Sequence, residues 1–160
     1  MTAPGSSRAG VGTILTYGTF DLFHVGHLRL LRRLSELGDR LVVGCSTDGF
    51  NQSKGKITAV PYAHRAEILA GCRYVDHVFP EENWDQKRAD VLRYGAQVFA
   101  MGDDWVGKFD FLGDLCAVLY LPRTENVSTT ELKDLIQAMR GAVEQPLQTH
   151  EAQHQRKHEV

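Results

Sequence analysis

The 160-residue sequence has no uninterrupted apolar run of the length that crosses a membrane. Its first eleven residues also lack the apolar stretch of a signal peptide, so we predict neither a transmembrane helix nor a secretion signal. Charge of one sign is not in excess: 18 Lys and Arg face 20 Asp and Glu, for a formal net charge of −2. This balance argues against a protein that coats nucleic acid or membrane, so any basic site must be local. The three cysteines are an odd number without paired spacing, which favours reduced thiols in a cytoplasmic protein.

Short apolar runs alternate with helical patterns along the chain. This alternation predicts a single doubly wound, Rossmann-like parallel α/β sheet with helices on both faces. We expect a disordered segment at 1–11, one domain at 12–142 and a polar, disordered tail at 143–160. The predicted strands are Gly12–Tyr17, Arg40–Cys45, His77–Pro80, Gln97–Met101 and Ala117–Leu121. The predicted helices are Val25–Leu37, Tyr62–Cys72, Trp84–Tyr94, Phe111–Leu115 and Ser128–Met139, with loops at Asp48–Pro61 and Gly102–Trp105.

Two histidines three residues apart, His24 and His27, follow the first predicted strand and open the first predicted helix. Side chains at i and i+3 share one helix face, and a helix N-terminus offers unpaired N–H groups and partial positive charge. The pattern therefore predicts a phosphate site. Gly18 and Gly26 have no Cβ, so a ligand could approach the backbone closely there. The alternatives for such a pair are metal binding and two unrelated surface histidines. Metal binding needs a third ligand, for which Asp21 is the nearby candidate.

Other polar groups also follow predicted strands. Lys54 and Lys56 lie in the loop after the second strand, Asp103 and Asp104 come after the fourth, and the segment 123–130 comes after the fifth. Ligands bind beyond the carboxyl ends of such strands, so these loops are expected to converge on one crevice. Each feature has a plainer interpretation: solvated lysines, a turn at the aspartates, and a capping box from Ser128 to Glu131.

Four segments carry a family resemblance. The sequence GTFDLFHVGH at 18–27 resembles the GTFDxxHxGH motif of the nucleotidyltransferase superfamily, and RTENVST at 123–129 resembles the RTEGIST motif of cytidylyltransferases, with Asn126 in place of the glycine. Two further segments, MGDDWVGKFD at 101–110 and RYVD at 73–76, are also similar to a known family. With them, the chain from Gly12 to Ile136 resembles the bacterial glycerol-3-phosphate cytidylyltransferases. Choline- and ethanolamine-phosphate cytidylyltransferases share the first and last motifs but resemble the MGDDW stretch less.

The resemblance implies transfer of CMP from CTP to sn-glycerol 3-phosphate, with Mg²⁺ accompanying CTP and no dedicated metal site. It also implies a homodimer and a product used for cell-wall or capsule polymers, with no nucleic-acid or membrane partner. The implied catalytic residues are His24, His27, Lys54 and Arg123. The implied nucleotide-binding residues are Thr19, Phe20, His24, His27, Lys56, Arg73, Asp104, Arg123, Ser128 and Thr129, and the implied acceptor-binding residues are Lys54, Arg65, Trp84 and Asp103.

Two other functions remain open at this point. One is a sister enzyme that uses a different phosphorylated acceptor or a different nucleotide. The other is a non-catalytic module that binds a nucleotide, against which the intact His24, His27, Lys54 and Arg123 argue.

Overall fold

The computed structural model describes residues 12–124 and 128–143. Within them, five parallel strands form one sheet in the order β3-β2-β1-β4-β5. The strands are β1 (Thr13–Gly18), β2 (Arg40–Ser46), β3 (His77–Glu81), β4 (Ala96–Gly102) and β5 (Ala117–Leu121). The helices are α1 (Val25–Ser35), α2 (Asp48–Ser53), α3 (Tyr62–Gly71), α4 (Lys87–Tyr94) and α5 (Thr129–Val143), with short 3₁₀ turns at Asp103–Trp105 and Asp110–Leu112.

The sheet is buried on both faces because its strands are apolar at successive positions. Ile14 and Leu15 of β1 are adjacent and fully buried, and they belong to different core clusters. The cluster around Ile14 includes Leu31 and Leu34 of α1 and Leu69 of α3. The cluster around Leu15 includes Val91 of α4 together with Val42 and Phe99 of the sheet. Helices therefore cover both faces, which confirms the predicted fold class.

The order of the strands places a switch point beside β1. The chain runs from β1 to β2 and β3 on one side, and then returns to place β4 and β5 on the other side. Connections that leave in opposite directions open a crevice at the carboxyl ends of β1 and β4. The loops that follow these two strands are the histidine motif and the paired aspartates.

The chain divides after Thr129 into two compact units. The first contains the sheet and helices α1 to α4. The second contains the rest of α5, which continues to Val143, past the predicted end of that helix at Met139. No helix within the described part of the chain combines the length and the apolar character needed to span a membrane.

The prediction of a continuous loop from Asp48 to Pro61 was wrong, because its first six residues form helix α2. Thr47 caps the start of this helix, since its side chain accepts a hydrogen bond from the Phe50 N–H at 3.2 Å. Phe50 and Asn51 are buried. A helix this short has too few apolar positions to show a 3.6-residue period. The capping threonine is therefore its only signal in the sequence.

Helix α4 begins at Lys87 instead of the predicted Trp84. The Gln86 side-chain oxygen accepts hydrogen bonds from the N–H groups of Glu82 (2.6 Å) and Asn83 (3.1 Å), which stabilises a turn before the helix. Gly95 ends the helix in a left-handed conformation, with φ of 59°, as its position after the helical pattern predicts. The predicted loop at Gly102–Trp105 and the predicted helix at Phe111–Leu115 are instead the two 3₁₀ turns.

Candidate active site

The loop between β1 and α1 bends sharply without using glycine at its bends. Phe20 and Leu22 both have positive φ, 53° and 48°, which is uncommon for residues with a side chain. The bend folds the Phe20 ring back over Gly18, where an added Cβ would lie 2.7 Å from Cε2 of that ring. Gly18 is therefore needed for a close approach between backbone and ring, and Phe20 is buried as a result.

Asp21 connects this loop to two others. Its buried carboxylate accepts hydrogen bonds from the N–H groups of Ala59 (2.8 Å), Val60 (2.9 Å) and Leu22 (3.1 Å). Its backbone carbonyl accepts one from the Thr129 hydroxyl at 2.9 Å. The loops after β1 and α2 and the first residue of α5 therefore share one anchor. The described residues contain no group of three or more His, Cys, Asp or Glu side chains that could hold a metal ion, so the metal alternative for His24 and His27 has no support there.

His24 and His27 cap helix α1 together. Nδ1 of His24 accepts a hydrogen bond from the Gly26 N–H at 3.0 Å, and Nδ1 of His27 accepts one from the His24 N–H at 3.3 Å. This is a reciprocal capping box built from two imidazoles in place of the usual hydroxyl and carboxylate. The rings stack with their centroids 3.8 Å apart.

The capping bonds determine where the imidazole protons lie. A ring nitrogen that accepts a hydrogen bond carries no proton, so in each neutral ring the proton is on Nε2. The Thr129 contact agrees with this assignment. Its hydroxyl donates to Asp21 and can only accept from Nε2 of His24, which lies 3.4 Å away. Burial, with the neighbouring His24, lowers the pKa of His27 to about 4, so this imidazole is a neutral Nε2–H donor at neutral pH.

Arg65 lies behind the site. Its side chain is fully buried, and its guanidinium donates to the carbonyl oxygens of Val60, Thr19 and Ser46 and to the Asp48 carboxylate, at 2.7–2.8 Å. These bonds hold the ends of β1 and β2 against the start of α2. Because all of these contacts are made within the protein, the geometry gives no support to the prediction that Arg65 binds the acceptor directly.

Lys54 ends helix α2 and lies against an aromatic surface. Its ammonium group is 4.0 Å from the centroid of Phe50 and 5.3 Å from that of Trp84, close enough for cation–π attraction. Burial lowers the pKa of Lys54. Lys56 is exposed two residues later, after a turn in which Gly55 has φ of 73°. The two predicted lysines thus differ, since Lys54 is held by contacts and Lys56 extends into solvent.

A buried ion pair lies beneath Trp84, and sequence reasoning missed it. Lys87 Nζ is 2.9 Å from Glu81 Oε1, and the two side chains are 1% and 4% exposed. The other Glu81 oxygen accepts from the Ser46 hydroxyl at 3.2 Å. A lysine within an otherwise polar segment gives no signal of burial, so only the three-dimensional structure could identify this pair.

The other predicted residues are distributed as follows. Thr19 donates to the buried Asn51 side chain at 3.1 Å. Asp103 and Asp104 are exposed in the turn after β4, and Arg123 is exposed just beyond β5. Ser128 directly precedes α5, while Asn126 and its neighbours 125 and 127 lie outside the described residues.

Arg73 is not brought to this site within a single chain. It lies beside Tyr74 in a cavity that is also lined by Arg32, Ser35 and Glu36, which belong to the last turn and end of α1. His24 is at the opposite end of that 11-residue helix, a separation of roughly 16 Å along its axis. The predicted contact of Arg73 with the nucleotide therefore finds no support in one protomer.

Paired imidazoles thus cap a helix N-terminus at the switch point of a doubly wound parallel sheet, the arrangement that the motif at 18–27 predicts for a nucleotidyltransferase. The chain belongs to the cytidylyltransferase-like family, whose sequence profile matches residues 15–135. It is 57% identical over 123 residues to the glycerol-3-phosphate cytidylyltransferase of Bacillus subtilis (strain 168), covering 77% of this chain and 95% of that one. It is 53% identical over 120 residues to the enzyme of that name from Staphylococcus aureus (strain NCTC 8325 / PS 47), covering 75% of this chain and 91% of the other.

A solved structure shows the same fold at lower identity. The lipopolysaccharide core biosynthesis protein from Thermoplasma volcanium GSS1 matches with a TM-score of 0.62 at 23% identity, covering 72% of this chain and all of the other. The sequence relatives confirm the resemblance carried by the four motifs.

Proposed function

We propose that this protein transfers CMP from CTP to sn-glycerol 3-phosphate, giving CDP-glycerol and pyrophosphate. Two relatives named for this activity match over three quarters of the chain at more than half identity. The observation in the structure that carries the proposal is the imidazole capping box. It fixes two Nε2–H donors beside the N-terminus of α1, where the backbone N–H groups and the helix dipole also favour an anion.

In the reaction, a phosphate oxygen of the acceptor attacks the α-phosphorus of CTP. The bond from that phosphorus to the bridging oxygen of the β-phosphate breaks, and pyrophosphate leaves with the electron pair. Such a step needs positioning and stabilisation of charge rather than a covalent intermediate on the protein. His24 and His27 suit the leaving pyrophosphate, because neutral donors held by their own backbone bonds need no reorganisation as charge develops.

The remaining polar groups divide between the two substrates. Lys54 and Arg123 are proposed to supply positive charge near the transferred group, and Lys56, Ser128 and Thr129 to bind the triphosphate. Asp103 and Trp84 are proposed to contact the acceptor, and Asp104 the nucleoside. Mg²⁺ would arrive bound to the oxygens of the triphosphate, which are ligands of the kind it prefers.

The active form is proposed to be a cytoplasmic homodimer, with CTP and a small phosphorylated acceptor as its partners. CDP-glycerol would then serve as the glycerol-phosphate donor for a cell-wall or capsule polymer. The position of Arg73 supports the dimer, because an arginine remote from the site of its own chain is available to a second copy.

Pyrophosphate release is the test. CTP alone should give no turnover, and CTP with sn-glycerol 3-phosphate should give full turnover with CDP-glycerol as product. The same assay is run with a panel of phosphorylated polyols and amino alcohols, and again with ATP in place of CTP. If another combination of nucleotide and acceptor is preferred, the protein is a sister enzyme. Binding of CTP without turnover on any acceptor would instead show a nucleotide-binding module and overturn the proposal.

A further inference from the structure

A buried amide with an unsatisfied donor lies beside the loop that precedes α1. Asn51 of helix α2 is 1% exposed, and its Oδ1 accepts a hydrogen bond from the Thr19 hydroxyl at 3.1 Å. Its Nδ2 is also buried, and it has no hydrogen-bond partner among the residues that the structure describes. A buried donor without an acceptor is rare and costly, so this orientation of the amide is not strongly favoured over the reverse one.

The orientation of the amide decides what the Thr19 hydroxyl can do. A hydroxyl has one proton, and here that proton is donated to Asn51. Rotation of the amide by half a turn exchanges the positions of Oδ1 and Nδ2. Nδ2 then donates to Thr19 Oγ1, and the hydroxyl proton is free to be donated elsewhere. The exchange leaves Oδ1 without a donor, and a carbonyl oxygen tolerates this better than an N–H group does.

Thr19 is placed to use that proton on an anion. It directly follows β1 at the switch point, and it is half-buried, so its side chain is still partly accessible. The ring of the next residue, Phe20, has its centroid 5.3 Å from that of His27. The hydroxyl therefore belongs to the same loop as the imidazole capping box. The oxygens of an ionised phosphate only accept hydrogen bonds, so a hydroxyl that binds one must be the donor.

We infer that Asn51 is a positioning residue that turns the Thr19 hydroxyl toward the triphosphate. When the anion binds, the Asn51 amide rotates, Nδ2 donates to Thr19, and Thr19 donates to a phosphate oxygen. Hydrogen bonds in such a chain polarise one another, so the bond to the phosphate is strengthened by the bond behind it. The inference rests on the proposed function, since it takes the loop before α1 as the place where the triphosphate binds.

Asn51 also has a structural role, from which this one must be separated. Its backbone carbonyl accepts hydrogen bonds from the N–H groups of Lys54 at 3.1 Å and Lys56 at 2.9 Å. The residue therefore closes the turn that carries both lysines. A substitution that only displaced this turn would weaken binding of CTP whether or not Thr19 had a hydroxyl.

The first test observes the amide in the unmodified protein. The side-chain NH₂ resonances of Asn51 are assigned in isotope-labelled protein and followed by NMR during titration with CTP and Mg²⁺. The new hydrogen bond should move one of them downfield. Cytidine, which has the same base and ribose but no phosphate, should leave both in place. If CTP shifts the backbone resonances of Gly26 and His27 but not these, or if cytidine shifts them equally, the inference is overturned.

The second test is Asn51→Asp. The ionised carboxylate has the shape of the amide but only accepts, so it retains the Thr19 proton. The Kd for CTP should rise by at least about tenfold, because a hydrogen bond to a charged group is lost. The matched control is Gln52→Glu, which adds the same charge at the next, exposed position of α2 and should change the Kd by less than about threefold.

A double-mutant cycle then shows whether Asn51 acts through Thr19. In a Thr19→Val background there is no hydroxyl to orient, so Asn51→Asp should raise the Kd for CTP by less than about threefold. An equal, tenfold loss with and without the hydroxyl would assign the effect to charge or to the lysine turn, and it would overturn the inference. If the variants do not fold, the resonances of the unmodified protein decide.

The outcomes distinguish this inference from the proposed function. If CTP moves the Asn51 resonance but sn-glycerol 3-phosphate gives no CDP-glycerol, the proposed reaction is wrong and the role of Asn51 stands. If CDP-glycerol is formed but the resonance does not move with CTP, the role of Asn51 is wrong and the reaction stands.

Discussion

The loops that follow β1 and β4 lie on either side of the switch point, and they are built in different ways. The loop after β1 has two non-glycine residues at positive φ and a buried aspartate that accepts three backbone N–H groups. The loop after β4 places its positive φ at Gly107 and exposes Asp103, Asp104 and Val106. Its N–H groups at Val106 and Lys108 donate locally, to the carbonyls of Asp103 and Trp105, and that of Phe109 donates to the Tyr120 hydroxyl at 3.0 Å.

The second loop is held mainly by aromatic contacts. The Trp105 ring centroid is 5.8 Å from that of Trp84 and 5.6 Å from that of Phe109. Aromatic packing tolerates small displacements, whereas a network of buried hydrogen bonds has one satisfied geometry. The difference suggests a division of labour. The side that would stabilise charge in the reaction is fixed, and the side that would select ligands is adjustable.

The largest expected effect tests the fixed side. His27→Ala should lower kcat by about 10²–10³, because one preorganised donor is lost from the site of developing charge. Steady-state pyrophosphate release measures the change, and circular dichroism shows whether the fold is kept. His64→Ala, which alters an exposed histidine of α3, is the matched control. A folded His27→Ala protein with more than about a tenth of the normal kcat would remove His27 from the charge-stabilising role.

Asp21→Asn should break the connection between the loops. The amide has the shape of the carboxylate, but its NH₂ group cannot accept a hydrogen bond. That NH₂ group would face the N–H of Ala59 or Val60, and one donor would lose its acceptor. We expect a loss of about 1–3 kcal/mol in the free energy of unfolding, measured with urea, together with reduced turnover.

The matched control for that change is Asp39→Asn, at an exposed position in the turn before β2. Both its stability and its turnover should be normal. Normal stability in Asp21→Asn as well would show that the loops are fixed by something other than this carboxylate.

The depressed pKa of His27 should make the free energy of unfolding depend on pH. The pKa of His27 is about 4 in the folded state and about 6.5 for an ordinary histidine, so between these values the unfolded chain binds more protons than the folded one. Stability from this group is therefore complete above pH 6.5 and is lost as pH falls toward 4, by an amount on the order of 1–2 kcal/mol between pH 7 and pH 5.

His27→Gln isolates that contribution, because glutamine can still accept in the capping box but does not titrate. Urea unfolding at pH 7 and pH 5 should show a smaller acid-dependent loss in the variant than in the unmodified protein. Parallel losses in the two proteins would mean that His27 binds a proton as readily in the folded state as in the unfolded state, and that its pKa is not depressed.

Much of the fold could be predicted from the sequence because its strands are unbroken apolar runs, and the switch point followed from their order. Helix α2 was missed because a six-residue helix with Phe50 as its one large apolar residue shows no helical period. The site was only partly predictable. Motif spacing identified His24 and His27, but it could not show that they accept from the backbone. A charged residue in a polar segment is expected to be exposed, so nothing indicated that Arg65 and Lys87 are buried and paired with the carboxylates of Asp48 and Glu81.

The smallest effect tests the adjustable side. Gly107 has φ of 82°, and a Cβ there would meet no atom within 4 Å. Gly107→Ala should therefore cost only the left-handed penalty, about 1 kcal/mol in the free energy of unfolding. Because aromatic contacts of Trp105 and Phe109 also hold this loop and tolerate small displacements, kcat should stay within about threefold of normal. Gly71→Ala, at an equally open position in α3, should be neutral or stabilising and provides the matched control. If Gly107→Ala reduces turnover as strongly as Asp21→Asn, the loop after β4 is as constrained as the loop after β1, and the division of labour proposed for the two loops is wrong.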